Sequence, residues 1–203
     1  MSTPEGFQHD RFLVDQLIRP IANLYRITPL AAGETPAGGP VAFVRQRKMA
    51  IKEDIRFYGD ESESQELFRI AARSWLDTGG SRYDVVTPTG EKLGVLHHTF
   101  KSILRTTWSI QDSSDSEIGI ARERSQVGAI VRRLIDFVPE VGGLIPIPYN
   151  IDILVDDRIV GHMNRKFQLR DSYVLDLTAD HERRIDRRVA IALAIALDAL
   201  QNR

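Results

Sequence analysis

The chain has no cysteine among its 203 residues. That excludes disulfides, thiolate metal sites, cysteine nucleophiles and iron–sulfur clusters together. Lysine is scarce, with five against 22 arginines. Neither sign of charge prevails, since 27 basic residues meet 28 acidic ones for a net of −1. A whole-surface field that would gather nucleic acid or anionic membrane is therefore excluded, and any such binding must come from a local patch. Nucleic acid is not an expected partner. Long apolar runs are missing too. The longest, Val189–Leu197, has nine residues, whereas a membrane-spanning helix needs about 20. The first eleven residues are polar and contain no apolar signal core, so the expected compartment is the cytoplasm. No P-loop, dinucleotide glycine motif or nucleophile elbow occurs. The expectation is a protein that is not an enzyme and uses no cofactor. His97-His98 is the only histidine pair. Neighbours on a strand point to opposite faces, so the two cannot chelate one metal, and no metal site is expected.

What is present is a normal globular mix, 42% apolar and 27% charged, patterned as short strands. Val41–Val44, Ile51–Tyr58, Tyr83–Val86, Lys92–His97, Ser102–Ile110 and Glu117–Arg122 read as strands between turn signals. In Leu67–Trp75, Phe68, Ile70 and Ala72 share one face against Arg69, Ala71 and Arg73. Trp75 and Trp108 read as core or barrel-wall residues rather than ligand platforms. Ile151–Val155, Ile159–Phe167 and Tyr173–Leu177 follow the same rhythm, after a short helix at Val127–Phe137. No helical crossovers separate the strands, which favours an antiparallel sheet over a βαβ fold. Phe12–Ile27 reads either as a helix broken at Pro20 or as strands. Thr28, Pro29, Gly33, Pro36, Gly38, Gly39 and Pro40 punctuate the segment after it, which reads as a flexible link.

The chain closes on a helix over Asp180–Gln201. Ile185, Val189, Leu193, Leu197 and Leu200 form one stripe, but Ile191 and Ile195 lie on other faces and the rest is mostly alanine. A helix that is apolar on every side must be surrounded. A closed β-barrel provides the surround and removes exposed strand edges. The expected fold is mainly β: a closed antiparallel barrel of about twelve strands around a central hydrophobic C-terminal helix. The expected organisation is one domain over 1–203. It has an N-terminal arm (1–40), barrel strands (41–178) with the short helix near 127–137, and the central helix (180–201).

Several stretches carry a family resemblance: Val44–Met49 running on through Lys52–Tyr58, Tyr83-Asp84-Val85 with Gly94 and Phe100-Lys101, Leu104–Trp108, and Ile185–Arg188 leading into the alanine-rich helix. Together they resemble the tubby C-terminal-like superfamily, with its phospholipid scramblases and LURP-one-related proteins, in a bacterial-type member. The resemblance implies the same barrel-and-helix fold, and a peripheral binder of anionic phospholipid or phosphoinositide headgroups. The scramblase calcium motif is matched only at Asp176 within Arg170–Leu177. That stretch lacks the central glycine and most of the ligand oxygens a calcium loop requires.

The headgroup candidates are Arg45, Arg47, Lys48, Lys52 and Arg56, with Lys101 and Arg105 on a segment that could neighbour them. Such a cluster holds a phosphate through charge-assisted hydrogen bonds. The competing reading is a solvated outer face paired with Glu53, Asp54 and the Glu61–Glu66 run. The acidic alternation Glu61-Ser62-Glu63-Ser64-Gln65 lies in a turn and lacks a following lysine, so it is not catalytic. The arginines at 183, 184, 187 and 188 oppose the helix dipole; with Asp180, Glu182 and Asp186 they read as an ion-pair plug at the barrel mouth. The apolar loop Gly142–Tyr149 either folds over a barrel end or docks on a membrane or protein. The last possibility makes a protein–protein scaffold without a lipid ligand the alternative function.

Overall fold

The computed structural model describes residues 4–18, 22–47, 54–73, 80–99, 107–124, 150–166 and 172–201. The helix expected at 127–137, the loop 142–149, Trp75, Lys48, Lys52, Lys101 and Arg105 lie outside the described residues. The described strands are β1 (Arg11–Ile18), β2 (Ala22–Pro29), β3 (Ala42–Arg47), β4 (Asp54–Tyr58), β5 (Glu66–Ala72), β6 (Gly80–Val86), β7 (Lys92–Thr99), β8 (Thr107–Gln111), β9 (Glu117–Glu123), β10 (Asn150–Val155), β11 (Arg158–Lys166) and β12 (Ser172–Asp176). One α-helix is described, α1 (Arg187–Gln201). Each strand pairs antiparallel with its sequence neighbours, and β1 pairs with β12 to close the barrel.

Alternation along the strands decides what fills the barrel. Phe12 and Val14 of β1, Tyr25 and Ile27 of β2, and Phe68 and Ile70 of β5 are buried. Between them emerge charged residues such as Arg26 and Arg69, only partly buried. Apolar inside and charged outside is the reverse of the pattern a membrane-spanning barrel requires. Ala72, on the same face as Phe68 and Ile70, is exposed where β5 ends. No helix among the described residues is long and apolar enough to cross a membrane.

The core is α1 itself. Val189, Ile191, Leu193, Ile195 and Leu197 are buried, as are the alanines at 190, 192, 194 and 196 between them. Each of the five branched side chains contributes about 1.5–3 kcal/mol on leaving water, and the alanines let the wall approach from every side. The approach is closest where the wall has no side chain. A Cβ built on Gly94 would lie 2.7 Å from the Gln111 carbonyl and 3.0 Å from a Val189 methyl. Phe57 and Phe68 stack at 4.1 Å between centroids, and Phe7 packs edge-on against Phe68.

Two expectations are corrected. First, residues 1–40 are not an arm beside the barrel: β1 and β2 are two of its staves, and without them β12 and β3 would have open edges. Nor is the link after them loose. Ala31 N–H donates to the Thr35 carbonyl, Ala37 N–H to Pro29 and Val41 N–H to Ile27, each at 2.8 Å. Second, the helix begins at Arg187 and not at Asp180. The Asp180 carboxylate accepts the Arg184 and Ile185 amides at 3.0 and 3.1 Å, and Arg183 adopts φ 50°. Such side-chain-to-backbone bonds and left-handed residues compete with a helix. Asp186 then caps α1 by accepting the Arg188 amide at 2.8 Å.

The expected plug at the mouth is present. Arg187 is buried between Asp180 and Asp10, Arg183 pairs with Asp10, Arg184 with Asp156, and Arg188 with Asp186. Towards the far end of α1, the buried Asp198 accepts the hydroxyls of Tyr25 and Tyr173 at 2.7 and 2.5 Å. Burial, and then the neighbouring Asp198 charge, push the Tyr25 phenol far above its ordinary value. Its raised folded-state pKa means both states hold the proton below about pH 10. Above that only the unfolded chain releases it, so stability falls as pH rises. In an alkaline titration followed by tyrosinate absorbance, Tyr25 should stay un-ionised until the protein unfolds; early ionisation, before any loss of structure, would contradict this environment.

Candidate functional site

The outer face of β2 to β5 gathers cations. Val44 pairs with Phe57 on the inside, so the flanking Arg45 and Arg56 emerge together outside. Arg56 stands directly opposite Arg69. On the other flank Arg45 faces Leu24, placing Arg26 of β2 diagonally next to it. Four arginines from four consecutive strands thus form one row, three strand spacings wide, or roughly 14 Å.

Like charges placed opposite each other across strands are unfavourable, and the row is accompanied by carboxylates. Glu66 bridges Arg56 at 3.4 Å and Arg69 at 2.9 Å. Glu61 meets Arg26, and Glu63 meets Arg45, each at 2.8 Å. Two of these come from the β4–β5 hairpin, which Asp60 shapes. Its carboxylate accepts the hydroxyls of Ser62 and Ser64 and the amides of Ser64 and Gln65. The Ser62 hydroxyl first, then that of Ser64, lower the Asp60 pKa to about 2, so this turn keeps its anion throughout the neutral and mildly acid range.

Of the expected site residues, Arg45 and Arg56 are brought together. Arg47 is the last residue of β3; Lys48, Lys52, Lys101 and Arg105 are outside the described residues. Arg26 and Arg69 were not among the candidates. Their signal was present, since each sits between buried apolar neighbours, Tyr25 and Ile27, and Phe68 and Ile70. The Glu61–Glu66 pairing weighed as a competing reading is what the face shows.

Other polar groups are spent structurally. Asp176 pairs with Arg11 at 3.0 Å and accepts the Thr178 amide and hydroxyl, so the match to the calcium motif is committed to protein partners. Asp152, opposite His162 across β10 and β11, also accepts from Arg124 at 2.8 Å. Burial alone would raise its pKa, but the hydrogen bonds from Arg124 and His162 outweigh it and hold the carboxylate below its usual value. His98 packs on Trp108 at 4.9 Å between rings, and burial, then the adjacent His97, lower its pKa. Among the described residues no three potential metal ligands cluster. Among the described residues the β2–β5 face offers the arginine row, with planar donors suited to carboxylate and phosphate oxygens.

Comparison with known families agrees with this architecture. Residues 41–198 match the model of the family described as LURP-one-related. No curated protein and no solved structure matches the chain.

Proposed function

The chain belongs to the LURP-one-related family, and from that premise we propose that it is a non-enzymatic barrel protein that binds anionic phospholipid headgroups, phosphoinositides among them. Binding is peripheral, at the cytoplasmic face of a membrane. The observation that carries this reading is the row Arg26, Arg45, Arg56 and Arg69 on one outward face. The barrel wound around its own C-terminal helix supports a place in the wider tubby-like superfamily, near the scramblases, and the stretches Val44–Met49 and Lys52–Tyr58 support a bacterial-type member. Arginine suits the role because its fork engages phosphate oxygens in pairs, and each basic residue near an anionic surface adds about 1 kcal/mol.

Vesicle co-sedimentation tests it. The protein should pellet with vesicles containing phosphatidylinositol bisphosphate at low salt, less at high salt, and not with phosphatidylcholine alone. Replacing Arg45 and Arg56 together by Gln should weaken binding about thirtyfold. No pelleting at low salt by the protein or by the charge variant of its hairpin described below would overturn the reading.

A further inference from the structure

The same face carries its own anionic occupant. Glu61, Glu63 and Glu66 reach all four arginines of the row. Two of the three lie on the hairpin that Asp60 ties together through Ser62 and Ser64. Glu63 is held at φ 61°, a left-handed conformation that non-glycine residues avoid, and from there its carboxylate contacts Arg45. That contact, 2.8 Å from Nε to Oε1, is misaligned for a hydrogen bond. Glu61 is 67% exposed at its side chain. The Arg26 Nε is buried and has no hydrogen-bond partner among the described residues. The three carboxylates thus fall one charge short of the four guanidiniums, and on the hairpin only the Glu61 contact to Arg26 is aligned as a hydrogen bond.

We propose that the Glu61–Glu63 hairpin is a built-in competitor for the arginine row, so that the face admits only a ligand carrying several phosphates. This rests on the headgroup reading above and adds a selection rule to it. A carboxylate brings one charge and two oxygens. A phosphate monoester brings about −1.5 to −2 and three acceptor oxygens, against five donors on each guanidinium. A headgroup with two such phosphates supplies about −3 to −4, at least the charge of Glu61, Glu63 and Glu66 together and more than the two hairpin carboxylates it displaces. A headgroup with one phosphodiester and a net charge of −1, such as phosphatidylserine, does not displace them.

The experiment compares the full chain with the variant Glu61→Gln, Glu63→Gln on vesicles containing either phosphatidylinositol bisphosphate or phosphatidylserine. Glu66 is kept, because it separates the facing Arg56 and Arg69. A control, Asp157→Asn with Glu182→Gln, changes net charge equally at exposed positions off the face. The unmodified chain should discriminate strongly for the bisphosphate. The hairpin variant should bind phosphatidylserine about tenfold more tightly than the unmodified chain does, with the gain shrinking as salt rises. The control should show no such gain. Adding Arg26→Gln and Arg45→Gln to the hairpin variant should abolish it. Soluble inositol trisphosphate should release the protein from bisphosphate vesicles, and failure to release would overturn headgroup recognition at this face.

If the hairpin variant and the unmodified chain bind alike, the competitor is overturned while the headgroup reading stands. If the control gains as much, the effect is net charge and the competitor is likewise overturned. If neither chain binds any vesicle, both readings fail. Binding by the hairpin variant alone overturns the selection rule, since the bisphosphate then fails to displace the hairpin.

Discussion

Replacing Arg187 with Met should cost about 3–5 kcal/mol of stability, because it leaves a buried charge without its partner. Few side chains in the described structure are as enclosed. Arg187 and Asp180 are each 1% exposed, and their charged groups approach to 2.5 Å. Arg187 also donates to Asp10 at 2.6 and 3.0 Å and to the Ile185 carbonyl at 2.9 Å. One planar group thus joins the start of β1, the turn after β12 and the first residue of α1. Lysine cannot reproduce this, since a single ammonium does not span a fork of acceptors, so Arg187→Lys should recover only part of the loss. Pairing Arg187→Met with Asp180→Asn should cost less than the sum of the two single changes, as residues sharing a contact are non-additive. Denaturant midpoints at constant slope measure this. A loss below about 1 kcal/mol for Arg187→Met would show that the pair does not hold the mouth closed.

Why the mouth and the core were legible, and the first staves were not, follows from patterning. A nine-residue stretch apolar on all sides, Val189–Leu197, leaves a chain of short alternating strands one economical arrangement, a sheet wrapped around it. The strands from Val41 onward alternate clearly because their outward positions are polar. In β1 and β2 the outward positions include Leu13, Leu17 and Leu24, only partly buried, while Phe12, Val14, Tyr25 and Ile27 face inward. Two apolar faces erase the period of two, and with Pro20 between them the stretch fits a broken helix as well as strands. The arginine row was half legible for another reason. Arg45 and Arg56 are close in sequence, on neighbouring strands. Arg26 and Arg69 join them only through cross-strand register, which includes a shift between Phe57 and Tyr58, and composition carries no trace of that. The start of α1 was misplaced because Asp180 looks like a helical residue until its carboxylate is seen to take the amides of Arg184 and Ile185.

The second large effect lies at the other end of the helix. Asp198→Ala should destabilise the protein by about 2–5 kcal/mol, mainly by removing the shared acceptor of two buried phenols. Asp198 follows the nine apolar residues Val189–Leu197 of the helix and is itself buried. The Tyr25 hydroxyl, which itself accepts from Gln16 at 3.3 Å, donates to it at 2.7 Å, and Tyr173 donates at 2.5 Å. Tyr25 stands on β2 and Tyr173 on β12, strands that flank β1 on either side. The carboxylate therefore fixes both the depth and the rotation of α1 against two staves, which apolar contacts of similar size on every side do not. Asp198→Asn keeps an acceptor and should cost less, about 1–2 kcal/mol. Tyr25→Phe with Tyr173→Phe, leaving Asp198 in place, should be worse than either single change, since it removes two hydroxyl donors from a buried carboxylate. Changing all three to apolar residues (Tyr25→Phe, Tyr173→Phe, Asp198→Leu) should recover part of the loss, because the carboxylate and both phenols go together, while the buried Gln16 amide loses its acceptor on Tyr25. Should Asp198→Ala unfold at the same denaturant concentration as the unmodified chain, the carboxylate is no part of what seats the helix.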